Sequence, residues 1–168
     1  MKVLAIDPGV SATGAVLIEQ VGRSQRVTRS ETFVTVHEDK SFESLVRRAW
    51  AIMARIQTLV DETMPDVIVI ESFGDIAPLR GAKNRFFCPF LLGVIESQLA
   101  SQQRTPIYQK PEIKGHYRDY KDLWERYRHA RHSTLIEGDE KLSNDHTRDA
   151  AIHALHYLGA QLVKRMGV

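Results

Sequence analysis

The stretch VLAIDPGVSATG, from Val3 to Gly14, combines an apolar run with a charge at its end. Four aliphatic residues in a row predict a strand covered on both faces, and the run stops at Asp7, directly before Pro8 and Gly9. An aspartate in this position can simply close an Asx-type turn. It can also be a carboxylate that the strand holds at one edge of a sheet. The rest of the sequence helps to decide between a turn residue and a functional carboxylate.

The hydrophobic pattern along the chain predicts an α/β fold. Apolar or alternating runs bounded by turn residues predict strands over 2–7, 13–20, 25–36, 66–72 and 105–109. Stretches with helical spacing or high apolar content predict helices over 41–62, 89–103 and about 143–165, the last with Ser143 or Asn144 as its N-cap. The first three strands can form an antiparallel meander, and the fourth should lie parallel to the first. We therefore expect a five-stranded mixed sheet, three antiparallel strands and then parallel strands, flanked by helices.

The composition is that of a single folded domain, which we assign to residues 1–168. The chain is 43% hydrophobic and 26% charged, which excludes a disordered or fibrous protein. No run of eighteen apolar residues and no signal-like N-terminus occurs, so we expect a cytoplasmic protein without a membrane partner. Cys88 is the only cysteine, which excludes an internal disulfide and leaves the interpretation of a buried apolar residue.

Asp7 and Glu71 each end a predicted buried strand. If these strands are parallel neighbours, both carboxylates lie at the same edge of the sheet, where open α/β sheets place their sites. Two adjacent carboxylates repel each other unless a cation lies between them, and oxygen ligands suit magnesium or manganese. The last helix can add His146 and Asp149, which are three residues apart and share a face.

Other polar residues of the last helix have simpler interpretations. Asp145 can serve in the first turn, where the helix dipole favours an acid, rather than as a ligand. His153 follows Asp149 by four residues, but it and His156 are more typical of packed or exposed helix histidines than of metal ligands.

The middle third of the chain is rich in basic residues interleaved with aromatic ones. This composition suits contacts to phosphates combined with stacking on bases, although a solvated helix face with inward-facing aromatics has the same composition. The candidate nucleic-acid-binding residues of this part of the chain are Arg80, Lys83, Arg85, Lys110, Tyr117 and Arg118.

Three segments carry a family resemblance. IDPGVSATG, VIVIESF and DHTRDAAIHAL resemble, in order and spacing, the three acidic blocks of RuvC-type Holliday-junction resolvases, which belong to the ribonuclease H-like superfamily. KNRFFCPFLLG and QKPEIKG resemble two further segments of that family. The resemblance implies a ribonuclease H-like fold. It also implies a magnesium-dependent endodeoxyribonuclease that resolves Holliday junctions and other branched DNA by paired hydrolytic nicks, leaving 5′-phosphates and 3′-hydroxyls.

The resemblance also implies roles for individual residues. Asp7, Glu71 and Asp149 correspond to carboxylates that bind two Mg²⁺ or Mn²⁺ ions per active site. His146 takes the fourth metal-ligating place, and the adjacent Asp145 is the reserve candidate.

Two further roles concern the DNA. Lys110 or Lys114 would lie beside the scissile phosphate, and Lys114 is the predicted catalytic lysine. Phe73 would stack near the crossover, although its distance from Glu71 differs from the family pattern by one residue. The charged, aromatic segment after QKPEIKG replaces the glycine-rich stretch usual in the family. A branch-selective enzyme of the kind that bacteriophages encode would fit this departure, in a bacterial cell or an infected host.

A four-way junction has approximate two-fold symmetry, so paired nicks require two identical sites related by that symmetry. We therefore expect a homodimer. The helix over 89–103 is the candidate interface, because its apolar residues exceed what one small core needs; they include Phe90, Leu91, Val94 and Ile95.

Three alternatives remain open from the sequence. The Asp-x-Gly start also resembles the phosphate-binding loop of actin- and hexokinase-like ATPases, although those proteins need two such domains and 168 residues are too few for both. A ribonuclease H-like enzyme that cuts RNA, in hybrids or in ribosomal RNA maturation, would have the same fold. A branched-DNA-binding protein without catalysis is the third alternative.

Overall fold

The computed structural model describes residues 1–9, 12–22, 24–36, 41–72, 87–117 and 145–166. The strands are β1 (Lys2–Asp7), β2 (Ala12–Val21), β3 (Ser24–Val34), β4 (Val67–Glu71) and β5 (Ile107–Gln109). The helices are α1 (Phe42–Thr63), α2 (Phe87–Ser101) and α3 (Asp145–Met166), and a 3-10 helix spans Pro111–Tyr117. Every predicted strand and helix is present, with ends shifted by two residues or fewer.

The five strands form one mixed sheet with the order β3-β2-β1-β4-β5. β1 pairs antiparallel with β2, and β2 pairs antiparallel with β3. β4 pairs parallel with β1 on the other side, and β5 pairs parallel with β4. This arrangement confirms the predicted meander followed by parallel strands.

The two faces of the sheet are covered by different helices. Leu4 and Ile6 of β1 pack into a core with apolar residues of α1 and α2. Val3 and Ala5 point to the opposite face and pack against α3. Because side chains alternate along a strand, Asp7 continues the series of Val3 and Ala5 and lies on the face that α3 covers.

Local signals explain the ends of the longest helix on the other face. Ser41 caps α1, since its hydroxyl accepts a hydrogen bond of 3.1 Å from the Ser44 N–H. The helix ends at Thr63 and is capped by Met64, which adopts a left-handed conformation with φ 44° and donates its N–H to the Val60 carbonyl. In the part of the chain that the structure describes, no helix combines the length and apolarity needed to cross a bilayer.

The structure corrects the argument for a dimer interface on α2. Leu91 and Ile95 are fully buried, and Val94 is almost so, all within the core of the same chain. Phe90 is half-buried and packs edge-on against Phe42, with ring centroids 6.0 Å apart. The premise that this helix has more apolar residues than one core needs was wrong, because α2 covers the sheet and also packs against α1. Cys88 is buried, as predicted.

Candidate active site

Two carboxylates meet at the carboxyl ends of the central parallel strands. Ile6 of β1 pairs with Ile70 of β4, and Asp7 and Glu71 follow directly on their strands. Both residues are buried, Asp7 with 5% and Glu71 with 9% of their surface exposed. The parallel register therefore places two acids side by side at one edge of the sheet, on the face that α3 covers.

The third acid comes from α3. One side-chain oxygen of Asp149 and one each of Asp7 and Glu71 all lie within 4.8 Å of one another. Ala150 and Ala154 are completely buried on the same helix, and such small side chains let α3 approach the sheet closely. We call these three residues the acidic cluster. Among the described residues it is the group of acids, histidines and cysteines with a spacing that suits a metal ion.

Two glycines of the opening stretch make room for the start of α3. A Cβ atom on Gly14 would lie 2.3 Å from the backbone carbonyl of His146 and 2.6 Å from the Thr147 nitrogen. A Cβ atom on Gly9 would lie 2.5 Å from the His146 ring. Real Cβ atoms do not come this close to backbone, so any side chain at position 14 would push α3 away from the acids.

His146 lies at the edge of the acidic cluster. Its Nδ1 is 2.7 Å from Asp7 Oδ2, and its side chain keeps 34% of its surface exposed. The structure thus brings His146 to the predicted site, where it contacts the cluster through Asp7. The neighbouring Asp145 is different, because its side chain is 88% exposed and lies 3.4 Å from Arg148. Asp145 occupies the first turn of α3, where an acid stabilises the helix.

Lys114 of the 3-10 helix reaches into the acidic cluster. Its Nζ donates hydrogen bonds of 2.8 Å to Glu71 Oε1 and 2.8 Å to Asp149 Oδ2. Lys110, the other candidate lysine, is exposed before the 3-10 helix, and its carbonyl accepts the Ile113 N–H. The structure therefore places Lys114, and not Lys110, among the acids.

The pKa values of Asp7 and Glu71 shift in opposite directions within the acidic cluster. Burial raises the pKa of Asp7 to about 9, and the adjacent Glu71 adds to the shift by accepting a hydrogen bond from the protonated acid and by its charge. Burial alone would raise the pKa of Glu71 as well, but hydrogen bonds from His153, Asp7 and Lys114 lower it to about 2. Asp7 is therefore the acid that keeps a proton near neutral pH.

Lys114 brings a positive charge to Glu71 and Asp149. Burial by itself would lower the pKa of its ammonium, but hydrogen bonds to Asp149 and Glu71 outweigh burial and raise it. A proton on Asp7 and the charge of Lys114 thus compensate the acids. Three converging carboxylates are hard oxygen ligands, and a divalent cation would relieve the same repulsion more completely. The residues present therefore fit Mg²⁺ or Mn²⁺.

The sequence did not predict the role of His153 in this region. The ring is completely buried, with Nε2 3.2 Å from Glu71 Oε2 and Nδ1 2.8 Å from Gln109 Oε1. Sequence reasoning favoured a packed or exposed helix histidine. The available signal was its position one helical turn after Asp149, which places it on the same face of α3.

Several predicted DNA-binding residues lie outside the part of the chain that the structure describes. These are Phe73, Arg80, Lys83, Arg85 and Arg118, together with the side chain of Tyr117. The proposed N-caps of the last helix, Ser143 and Asn144, also lie outside it.

The sheet order β3-β2-β1-β4-β5, with α3 packed on one face, matches a ribonuclease H-like fold. The acids lie at the carboxyl ends of its central strands. The chain is similar to Thermus thermophilus RuvC bound to a Holliday junction substrate, with 18% identity, coverage of 96% of each chain and a TM-score of 0.71. It is also similar to the yeast mitochondrial Holliday junction resolvase, with 12% identity over 90% of this chain and 75% of that one, and a TM-score of 0.64.

A viral protein has the same architecture. The fowlpox virus resolvase, solved with Holliday junction DNA, is 14% identical over 94% of this chain and 99% of its own, with a TM-score of 0.56. No protein-family model matches the sequence, and no curated protein matches it either. At these identities the similarity establishes the fold, and the chemistry has to be argued from the side chains.

Proposed function

We propose that this protein is a divalent-metal-dependent, structure-selective endodeoxyribonuclease that resolves Holliday junctions and related branched DNA. The observation that carries the proposal is the convergence of Asp7, Glu71 and Asp149 within 4.8 Å at the carboxyl edge of the sheet. Support comes from the shared fold of RuvC and the fowlpox virus resolvase, both of which were solved with Holliday junction DNA.

The acidic cluster would hold the metal, with His146 beside it. Two Mg²⁺ or Mn²⁺ ions, when bound, would activate a water molecule and stabilise the departing 3′-oxygen, so that hydrolysis leaves a 5′-phosphate and a 3′-hydroxyl. Asp7 has to release its proton to act as a charged ligand. His146 orients the Asp7 carboxylate, because its Nδ1 lies 2.7 Å from Oδ2.

Lys114 supplies positive charge where the scissile phosphate would lie. Its ammonium is already held between Glu71 and Asp149 at 2.8 Å from each. An ammonium beside the acidic cluster can stabilise the charge that grows on the phosphoryl oxygens during hydrolysis. We therefore assign Lys114 as the catalytic lysine, with Lys110 as a contact to the DNA backbone.

The rest of the proposal concerns the substrate. A four-way junction has two equivalent strands to cut, so we propose a homodimer that carries two acidic clusters. The basic and aromatic residues of the middle third would hold the branch, with Phe73 stacking near the crossover and the others contacting phosphates. These others are Arg80, Lys83, Arg85, Tyr117 and Arg118.

The direct test is cleavage of labelled branched DNA. We expect the wild-type protein to nick a four-way junction with Mg²⁺ but not with EDTA, and to leave nicks that a ligase can close. Asp149→Asn should abolish nicking while it keeps junction binding, because removal of negative charge does not weaken attraction to phosphates. Asp61→Asn, which removes an exposed acid on α1, is the charge-matched control and should cut normally.

Other substrates separate the proposal from its alternatives. A fork, a flap and an RNA–DNA hybrid should be digested beside the junction under the same conditions. Preferential cutting of the hybrid would replace the proposal with a ribonuclease H-like activity. Junction binding without any metal-dependent product would replace it with a non-catalytic binding protein. Normal nicking by Asp149→Asn would exclude the acidic cluster as the site.

A further inference from the structure

We infer that His153, held by Gln109, is a positioning residue that selects which oxygen of Glu71 faces the acidic cluster. The inference rests on the proposed function, since it assigns a purpose to residues around the same site. His153 is completely buried, whereas the other described residues of α3 that are buried beyond Asp149, such as Ala150, Ala154 and Leu158, are apolar.

Burial of an imidazole is unfavourable unless both of its nitrogens have partners. Here both do, since Nε2 lies 3.2 Å from Glu71 Oε2 and Nδ1 lies 2.8 Å from Gln109 Oε1. A leucine at position 153 would continue the apolar face without this requirement. The polar ring is therefore explained by its contact with Glu71 and not by packing.

The sheet register fixes the partner of His153. Gln109 is the last residue of β5 and pairs directly with Glu71, so both side chains point to the face that α3 covers. Ser72 secures this pairing, because its N–H and its hydroxyl both donate to the Gln109 carbonyl, at 2.7 Å and 3.0 Å. Three separate elements thus converge on one hydrogen-bonded chain from Gln109 through His153 to Glu71.

The Gln109 amide suits this purpose because its two ends have nearly the same shape. The structure places Oε1 2.8 Å from Nδ1, and the amide turned over would place a donor at the same point. A neutral ring whose Nδ1 accepts this hydrogen bond carries its proton on Nε2 and directs it at Glu71.

His153 and Lys114 bind different oxygens of the Glu71 carboxylate. Oε2 is bound by His153, whereas Oε1 accepts the 2.8 Å hydrogen bond from Lys114 on the side of Asp149. His153 therefore holds the carboxylate with Oε1 turned toward the cluster. Groups that hydrogen-bond to metal ligands in this way typically change metal affinity by about 10- to 100-fold when they are removed.

The test compares three substitutions at position 153. A glutamine amide nitrogen can take the place of Nε2, an asparagine nitrogen takes the place of Nδ1, and a leucine replaces neither. We expect His153→Leu and His153→Asn to weaken Mn²⁺ binding by about 10- to 100-fold in calorimetry, and His153→Gln to restore most of it. Gln109→Leu should weaken binding in the same direction, because the ring loses its anchor. Thermal unfolding in EDTA shows whether each variant folds.

Cleavage provides the second readout. Nicking of a four-way junction by His153→Leu should be reduced at low Mn²⁺ and should recover at high Mn²⁺, which a general loss of structure would not allow. Wild-type Mn²⁺ affinity in a folded His153→Leu would overturn the inference. If leucine prevents folding, equal affinities of the glutamine and asparagine variants would overturn it. A wild-type protein that binds no Mn²⁺ and cuts no DNA would instead refute the proposed function, and the inference with it.

Discussion

Replacing Asp7 with asparagine should stabilise the metal-free protein, and the gain should grow with pH. The folded state raises the pKa of Asp7 from its ordinary 3.8 to about 9. Between these values the folded protein keeps a proton that the unfolded chain releases. The free energy of unfolding of the wild type therefore falls as pH rises, by at most about 1.4 kcal/mol per pH unit from this group. Asparagine resembles the protonated acid and has no proton to lose.

The two pKa values of Asp7 also set the size of the stability difference. Between pH 6 and pH 8 the advantage of Asp7→Asn over the wild type should increase by up to about 2.7 kcal/mol. The lowered pKa of Glu71 has the opposite sign, since it adds stability as pH rises above about 2, and its contribution is complete well below pH 6. The comparison of the two proteins therefore isolates Asp7.

The assay is urea unfolding of both proteins in EDTA at pH 6, 7 and 8, with Asp61→Asn as the control for loss of one negative charge. The control should shift little and evenly across this range, because Asp61 is exposed. Addition of Mn²⁺ should stabilise the wild type and have little effect on Asp7→Asn. An advantage of Asp7→Asn that stays constant with pH, or a variant less stable than the wild type at pH 8, would refute the reasoning about the buried acid.

Two other substitutions test the surroundings of the cluster. Lys114→Met should lower the stability of the metal-free protein by about 3 kcal/mol, because it leaves Glu71 and Asp149 without their shared cation. Mn²⁺ should recover more stability in this variant than in the wild type, and melting curves in EDTA that match the wild type would contradict this. Gly14→Ala should lower stability by about 3 kcal/mol and weaken Mn²⁺ binding, since its Cβ would lie 2.3 Å from the His146 carbonyl. Gly159→Ala on α3 is the control, because nothing lies within 4 Å of its Cβ, and equal melting temperatures of the two variants would contradict the close approach.

The sequence was sufficient to predict the pair of acids on the sheet. Apolar runs that end in Asp7 and Glu71, joined through a helical crossover, predict parallel strands with both carboxylates at one edge. The observed register of Ile6 with Ile70 confirms this prediction. Helical spacing likewise identified the face of α3 that carries His146 and Asp149. These features follow from short-range patterns, and such patterns can be read from one chain.

The contributions of Lys114 and His153 depend on tertiary geometry. Lys110 and Lys114 have the same chemistry, and only the path of the 3-10 helix separates them. His153 needs Gln109 beside Glu71, a pairing set by a strand of three residues. The prediction that α2 has more apolar residues than one core needs was wrong for a related reason. A count of apolar residues does not show that one helix packs against both a sheet and a neighbouring helix.

The acidic cluster is neutralised in three different ways, which together explain how the metal-free chain can hold it. Asp7 retains a proton, Lys114 supplies an ammonium to Glu71 and Asp149, and His153 donates to the far oxygen of Glu71. Lys114 contacts Glu71 through Oε1, together with Asp149, whereas His153 contacts the other oxygen, Oε2. A bound divalent ion would take over the compensation that the Asp7 proton and the Lys114 ammonium provide, and it could leave the histidine in place. An Asx-type turn does not require the burial of Asp7 beside Glu71 and Asp149, because an exposed aspartate closes such a turn equally well.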